Sequence, residues 1–219
     1  MRSSGYISNF FIDMARYDEN ETITNMRINK LMYYAQAWSL VQSKKPLFEE
    51  DFEAWDYGPV LPSVYKKYKK YKKNNIDKVD PDYSVNDLST DDLKVLLSAY
   101  TYFNQYSTTR LVNATHQKGS PWYTAYTRRK SSTITKDSIS SSFTVPDADV
   151  THFHVSYCYD PETKDWLAVG KDIDGLVAEE ETLNKLIKEC YLAADDLLDS
   201  TGNMPFIIDF DEVSNLEDD

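Results

Sequence analysis

The sequence predicts two domains, a mostly α-helical N-terminal domain followed by a small α+β domain with the element order βββαβ. Up to about residue 145, apolar residues recur at helical spacing, and from about residue 150 they alternate as they do in strands. The charge changes at the same place. Residues 1–148 hold 17 acidic and 20 basic residues, whereas residues 149–219 hold 19 acidic and 4 basic residues. A joint change of period and charge indicates two modules with different surfaces.

The domain boundaries follow from this change and from the composition around it. The segment before residue 143 is rich in serine and threonine, and Pro146 follows, which is typical of a linker. We therefore predict a helical domain over residues 1–145, a linker at about 144–150, an α+β domain over 150–212 and an acidic tail over 213–219.

N-capping residues and apolar stripes define the helices of the first domain. Thr24 is a predicted N-cap for a helix from Met26 to about Ser43, and Ser89 is one for a later helix. Pro62 suits the first turn of a helix that we predict to continue to about Lys73. Shorter helices are predicted at Thr109–Thr115, Pro121–Arg128 and Lys136–Phe143. The stretch Asp56-Tyr57-Gly58-Pro59 predicts a turn within an irregular or short extended segment.

The second domain is predicted from alternation and from one long amphipathic stretch. Phe153 to Tyr159 alternates apolar and polar residues, and Trp166–Val169 and Leu176–Ala178 are short strand candidates. A helix follows from Glu179 to about Ser200, and Phe206–Ile208 is predicted as the last strand.

Composition excludes several classes of protein. No apolar run comes near the roughly 20 residues that span a bilayer, so we expect no membrane partner and a cytoplasmic location. Cys158 and Cys190 are too few for a disulfide framework and are expected to be buried thiols. The sequence has only six glycines and contains neither a P-loop nor a dinucleotide-binding motif. No cofactor is therefore expected.

The residues that could catalyse a reaction or bind a metal are better explained as structural or surface residues. His152, His154 and Cys158 share a strand face, but they lack the close spacing of a zinc clip, so a solvated strand face is preferred. Asp172 and Asp174 could belong to a carboxylate cluster, but a surface acidic run is the preferred interpretation. We expect no metal site, no catalytic residue and no enzymatic activity.

The stretch from Tyr65 to Lys73 alternates tyrosines with pairs of lysines and is the best nucleic-acid candidate. Lysines neutralise phosphates and tyrosines stack on bases. Tyrosines three residues apart also form the buried seam of a helix with solvated lysines around it, which is the preferred interpretation. Docking of the lysines on the acidic half of the chain is a third alternative.

Three strings stand out in the first domain, NKLMYYAQAW from Asn29 to Trp38, Pro46-Leu47-Phe48 and AWDYGPVLPSVY from Ala54 to Tyr65. Through them most of residues 5–145 resembles the Panacea antitoxin domain, a phage-associated family. The pairs Thr115-His116 and Pro121-Trp122 complete the resemblance. It implies a mostly helical domain that binds toxins of several unrelated kinds.

Residues 152–200 resemble the HicB-like antitoxins, whose fold is a partial RNase H-like βββαβ. The resemblance rests on Trp166–Val169, on the segment from Asp172 to Glu179 and on Thr182-Leu183. This chain has Asp174 where the family usually has proline, which affects the expected turn and not the overall pattern.

Together the resemblances imply an antitoxin that neutralises a toxin by direct binding, the toxin being encoded by an adjacent gene. We expect the partner-binding residues to be Trp55, Tyr57, Pro59, Val60, His116 and Trp122. The same six residues could instead simply build the domain core. A proteolytic adaptor that delivers a client toxin to a protease, a DNA-binding autorepressor and an enzyme are the alternatives. A homodimer is compatible with the sequence, whereas its acidic balance disfavours a nucleic-acid partner.

Overall fold

The computed structural model describes residues 2–17, 22–146, 150–198, 206–214 and 216. Parts of three sequence predictions lie outside these residues, namely linker positions 147–149, the predicted helix end at 199–200, and tail positions 215 and 217–219. The chain divides into two compact units. The helical unit consists of Met1–Tyr83 and Tyr106–Val145, and the sheet unit consists of Ser84–Gln105 and Pro146–Asp219.

The helical unit is built around one central helix. Its helices are α1 (Ser4–Ala15), α2 (Asn25–Gln42), α3 (Pro62–Tyr68), α5 (Thr108–Thr115), α6 (Pro121–Arg128) and α7 (Lys136–Ser142). Helix α2 contacts α1, α3, α5 and α7. The predicted stripe on α2 is buried, and so are Asn29, Tyr33 and Gln36 on its other sides, because neighbours surround the helix. Thr24 caps α2 as predicted, since its hydroxyl accepts a hydrogen bond from the Arg27 N–H.

A small three-stranded sheet completes the helical unit. Strands β1 (Phe52–Trp55) and β2 (Gly58–Val60) form an antiparallel hairpin, and β3 (Thr133–Ile134) pairs with the other edge of β1. The turn predicted at Asp56 to Pro59 is confirmed as the hairpin connection. The hairpin places its turn beside the N-terminal half of α2, with which β2 is in contact.

The helix predicted from Pro62 to Lys73 is shorter in the structure. Helix α3 ends at Tyr68, and a 3₁₀ turn from Lys69 to Tyr71 follows. Lys72 then adopts a φ of 56°, which a right-handed helix cannot contain. The predicted tyrosine seam is correspondingly incomplete: Tyr68 is buried, whereas Tyr65 is 40% exposed.

The sheet unit has the predicted βββαβ order. Its elements are β4 (Thr151–Asp160), β5 (Asp165–Gly170), β6 (Val177–Glu180), α8 (Leu183–Leu198) and β7 (Phe206–Glu212). The strand order is β6-β5-β4-β7, with β7 parallel to β4 and the other pairs antiparallel. Helix α8 packs on the sheet through Leu186, Ile187 and Cys190, all of them fully buried.

A helix from the middle of the chain also belongs to the sheet unit. Helix α4 (Thr90–Asn104) contacts α8 and β7. The Ser98 and Tyr191 hydroxyls are hydrogen-bonded at 3.1 Å, and the Thr101 hydroxyl donates to the Phe206 carbonyl at 3.0 Å. The structure therefore differs from the predicted division at residue 145, because residues 84–105 bury their apolar side chains against α8 and β7.

Candidate binding pocket

A pocket of about 530 Å³ lies beside the β1–β2 turn of the helical unit. It is bordered by the start of α2, the hairpin, the start of α3 and the segment after α6. The residues that line it are Asn25, Met26, Asn29, Lys30, Trp55, Asp56, Tyr57, Val60, Tyr65, Lys130 and Ser131. The volume is typical of a site that binds a small molecule or a few side chains.

Gly58 sets the shape of the turn. Its φ is 100°, a region that residues with a side chain rarely adopt. A Cβ atom at this position would also lie 2.8 Å from Lys30 Cε and 2.9 Å from Thr115 Oγ1. Both the backbone conformation and the available space therefore require glycine.

Polar side chains of α2 hold the backbone of the pocket walls. Lys30 Nζ donates to the Pro59 carbonyl at 2.8 Å, and Asn29 Oδ1 accepts from the Leu61 N–H at 2.9 Å. Asn25 Nδ2 donates to the Tyr65 carbonyl at 3.0 Å. These bonds satisfy backbone groups in β2, in the residue that follows it and in α3, which is why such polar side chains are found within the fold.

Lys30 is the main electrostatic feature of the pocket. Its side chain is 1% exposed, and burial lowers the pKa of the ammonium group to about 7. Among the described residues, no carboxylate forms an ion pair with it, and the Pro59 carbonyl is its hydrogen-bond acceptor. The nearby Asp56 carboxylate forms an ion pair with Lys130 Nζ at 2.9 Å and accepts a hydrogen bond from the Tyr126 hydroxyl at 2.8 Å.

A stack of rings lies behind the turn. His116 stacks on Trp122 with 3.8 Å between centroids, and Trp122 stacks on Tyr126 at 4.6 Å. Trp122 Nε1 donates to the Trp55 carbonyl at 2.8 Å, which ties the stack to the hairpin. The pKa of His116 is lowered, first by burial and second by the positive charge of Lys30. Its Nε2 atom is buried and lacks a hydrogen-bond partner among the described residues.

Exposed apolar side chains form the rim of the pocket. Tyr57 is 68% exposed, Met26 43% and Tyr65 40%. They are three of the eight large hydrophobic side chains that are exposed among the described residues. The Trp55 ring packs edge-on against the Tyr65 ring with 5.0 Å between centroids. Clustered exposure of this kind marks interaction sites on soluble domains.

The six residues proposed from the sequence fall into two groups. Trp55, Tyr57 and Val60 line the pocket. Pro59, His116 and Trp122 lie behind the pocket. The Pro59 carbonyl accepts the hydrogen bond from Lys30, and the rings of His116 and Trp122 form the stack.

Sequence reasoning missed Met26, Asn29, Lys30 and Tyr65 as pocket residues. A signal was available for Lys30, because this charge lies within an otherwise apolar helical string. Periodicity assigns such a residue to a solvated face, and only the packing around α2 shows that it is buried.

The other candidate sites have ordinary partners. His152 Nδ1 is paired with Asp209 at 2.7 Å and His154 Nδ1 with Asp211 at 3.8 Å. Asp172 accepts a hydrogen bond from the His154 N–H. Among the described residues, no group of three potential metal-binding side chains comes together.

The lysine-rich segment is split between different roles. Tyr68 is hydrogen-bonded to Ser8 at 2.9 Å, and Lys67 is paired with Asp80. Lys66, Lys69 and Lys70 are exposed.

Over the described part of the chain, no helix has the length and apolar character needed to cross a membrane.

Two family profiles match the chain. The family described as "Antitoxin SocA-like, Panacea domain" matches residues 28–123. The family described as "Domain of unknown function (DUF1902)" matches residues 152–209. The second match covers most of the segment for which the sequence suggested a HicB-like domain.

One curated protein is similar over a short stretch. It is "Antitoxin SocA" from Caulobacter vibrioides (strain NA1000 / CB15N), which is 46% identical over 44 residues. The aligned stretch covers 20% of this chain and 23% of that protein. No solved structure matches the chain. Residues 28–123 are thus similar to the SocA-like Panacea antitoxin family, and residues 152–209 are similar to the DUF1902 family.

Proposed function

We propose that this protein is an antitoxin that neutralises a partner toxin by direct, non-catalytic binding at the pocket of the helical unit. The observation that carries the proposal is the cluster of exposed apolar side chains, Met26, Tyr57 and Tyr65, around a pocket most of whose lining residues lie in the segment that matches the Panacea family. Aromatic residues that fill or border pockets dominate the energetics of protein interfaces.

The six predicted partner-binding residues have two roles in this proposal. Trp55, Tyr57 and Val60 contact the toxin, whereas Pro59, His116 and Trp122 fix the shape of the turn that presents them. The hydrogen bond from Trp122 to the Trp55 carbonyl supports this division, because it joins the ring stack directly to the pocket wall. A rigid support lowers the entropy that binding must remove.

We further propose that the DUF1902 segment is a HicB-like domain and that the toxin is the product of an adjacent gene. The βββαβ order of the sheet unit supports the first point. The net negative charge of residues 149–219 favours a basic partner for this unit.

A binding experiment with matched tyrosine variants tests the proposed surface. The purified full chain is titrated with the product of the adjacent gene, and Tyr57→Ala is compared with Tyr159→Ala. Tyr159 is 46% exposed and lies in the sheet unit, so it controls for the loss of an exposed tyrosine. We expect Tyr57→Ala to weaken binding at least about tenfold and Tyr159→Ala to leave it nearly unchanged. The reverse pattern would move the binding surface to the sheet unit and contradict the proposal.

Growth assays test neutralisation and separate it from the adaptor alternative. Expression of the toxin alone should stop growth, and coexpression with this chain should restore it in strains with and without the principal cytoplasmic proteases. Rescue that requires a protease would indicate an adaptor. No rescue in either strain would overturn the antitoxin proposal.

A further inference from the structure

Lys30 is a buried residue for which the described residues of the helical unit supply no counter-charge. An ammonium group has three donors, and burying it in an apolar environment is costly unless an anion and hydrogen-bond acceptors surround it. Here one donor is used by the Pro59 carbonyl at 2.8 Å. Among the described residues, no carboxylate pairs with Lys30, although it lines an open pocket.

The other polar groups of the pocket do not compensate for this charge. Asp56 is the carboxylate in the lining, and it is held by Lys130 and Tyr126. The side-chain oxygen of Asn29 accepts a hydrogen bond from the Leu61 N–H, and the side-chain amide of Asn25 donates to the Tyr65 backbone carbonyl. The remaining lining is mostly apolar, from Met26, Trp55, Val60 and the tyrosine rings. The pocket is therefore apolar with one uncompensated positive group in its wall.

We propose that this pocket receives an aspartate or glutamate side chain of the toxin, whose carboxylate pairs with Lys30 while an apolar neighbour packs against Trp55 and Tyr57. This inference rests on the proposed function and names the chemistry of the group that the site recognises. One carboxylate matches the single charge of Lys30, whereas a phosphate monoester carries about −1.5 to −2 at neutral pH. A pocket of about 530 Å³ has room for an acidic side chain and its neighbour.

Burial keeps Lys30 near the midpoint of its titration, since its pKa is about 7. A carboxylate that enters the pocket favours the charged form and raises this pKa, so binding above about pH 7 takes up a proton. The other titratable groups near the pocket are His116, the Asp56–Lys130 pair, Tyr57 and Tyr65. A test must therefore observe Lys30 itself.

Phenylacetate and its neutral analogue phenylacetamide are suitable probes for the full chain. The ¹³Cε resonance of Lys30, assigned by its loss in Lys30→Met, is followed against pH with each probe. We expect phenylacetate to move the Lys30 titration to higher pH, and phenylacetamide to leave it unchanged. Lys30→Met should weaken phenylacetate binding about tenfold near pH 6.5, whereas the exposed control Lys66→Met should not. Equal binding of both probes, or an unmoved Lys30 titration, would overturn the proposal, and the comparison of the binding of the two probes uses only the unaltered protein.

The toxin itself separates this inference from the proposed function. If Lys30→Met fails to bind the adjacent gene product while remaining folded by circular dichroism, both stand. If Lys30→Met binds normally and Tyr57→Ala does not, the proposed function stands and the carboxylate inference falls. A short Gly-Ser extension of the toxin's C-terminus should leave binding intact. Loss of binding on this extension would assign the carboxylate to the chain terminus and overturn the side-chain assignment.

Discussion

The two units of this protein hold their backbones in place by different means. Of the fourteen buried polar or charged side chains among the described residues, ten lie in the helical unit and four in the sheet unit. In the helical unit, side chains such as Asn29 and Gln36 bond directly to the backbone of irregular segments. In the sheet unit, the central strand β4 is paired along most of its length on both sides.

This difference separates what each unit can present to a partner. A sheet satisfies its own backbone groups, so its side chains are free to form an apolar core with α4 and α8. The helical unit instead builds a short hairpin and a pocket from segments that are too short to pair fully. It needs polar side chains inside, and one of them, Lys30, lies at the pocket wall without a paired carboxylate among the described residues.

The largest expected effect is an apolar truncation in the sheet unit. Leu186 is fully buried on α8, and Leu186→Ala should lower the free energy of unfolding of this unit by about 2–5 kcal/mol, through lost transfer energy and a cavity. Chemical denaturation followed by hydrogen exchange measures the loss and locates it. Leu197→Ala is the control, because Leu197 is 42% exposed on the same helix. An equal loss in both variants would argue against an apolar core as the main support of this unit.

A polar-to-apolar change should have the next largest effect, in the helical unit. Asn29→Leu keeps the volume similar but removes the hydrogen bonds that the Asn29 amide makes with the Leu61 N–H and with the side-chain oxygen of Asn25. We expect a loss of about 1–3 kcal/mol, with hydrogen-exchange protection falling around residues 56–65. Asn113→Leu, at an exposed position of α5, should change the stability by less than about 0.5 kcal/mol. If hydrogen-exchange protection around residues 56–65 is unchanged in Asn29→Leu, buried polar side chains are not what holds the backbone of the helical unit in place.

Lys30 should make the stability of the helical unit depend on pH. Its folded-state pKa of about 7 lies below the ordinary lysine value of 10.5, so the unfolded chain binds more protons between these two pKa values. The free energy of unfolding therefore rises with pH in this window, by about 1 kcal/mol between about pH 7 and pH 8. Lys30→Met should lose this rise, and Lys66→Met should retain it. Parallel stability curves for wild type and Lys30→Met would show that the lysine is not buried as described.

The smallest expected effect is on His116 and tests how closely Lys30 and the ring stack are coupled. Burial is the first cause of its lowered pKa and the charge of Lys30 is the second. Lys30→Met should therefore raise the pKa of His116 part of the way towards its ordinary value, as seen in the imidazole C–H resonances. Lys130→Met should not, because the Lys130 charge is paired with Asp56. If the pKa of His116 is the same in Lys30→Met as in the wild type, the charge of Lys30 does not act on the ring stack.

The sequence by itself determined the regular elements and their order. Thr24 and Ser89 cap helices where predicted, and the predicted alternation from Phe153 to Tyr159 lies in strand β4 of the βββαβ sheet. Such features depend on local hydrogen bonds and on the period of apolar residues, both of which are written in neighbouring positions. The motif strings likewise indicated the pocket region through Trp55, Tyr57 and Val60.

Only the tertiary structure decided where α4 belongs and which polar residues are buried. Helix α4 has the same apolar stripe that would suit either unit, and it is the contacts with α8 and β7 that assign it to the sheet unit. Lys30 has the sequence signature of a solvated residue, and it is buried because neighbours surround α2 on every side. Burial and pairing are set by elements distant in the chain, so local spacing cannot specify them.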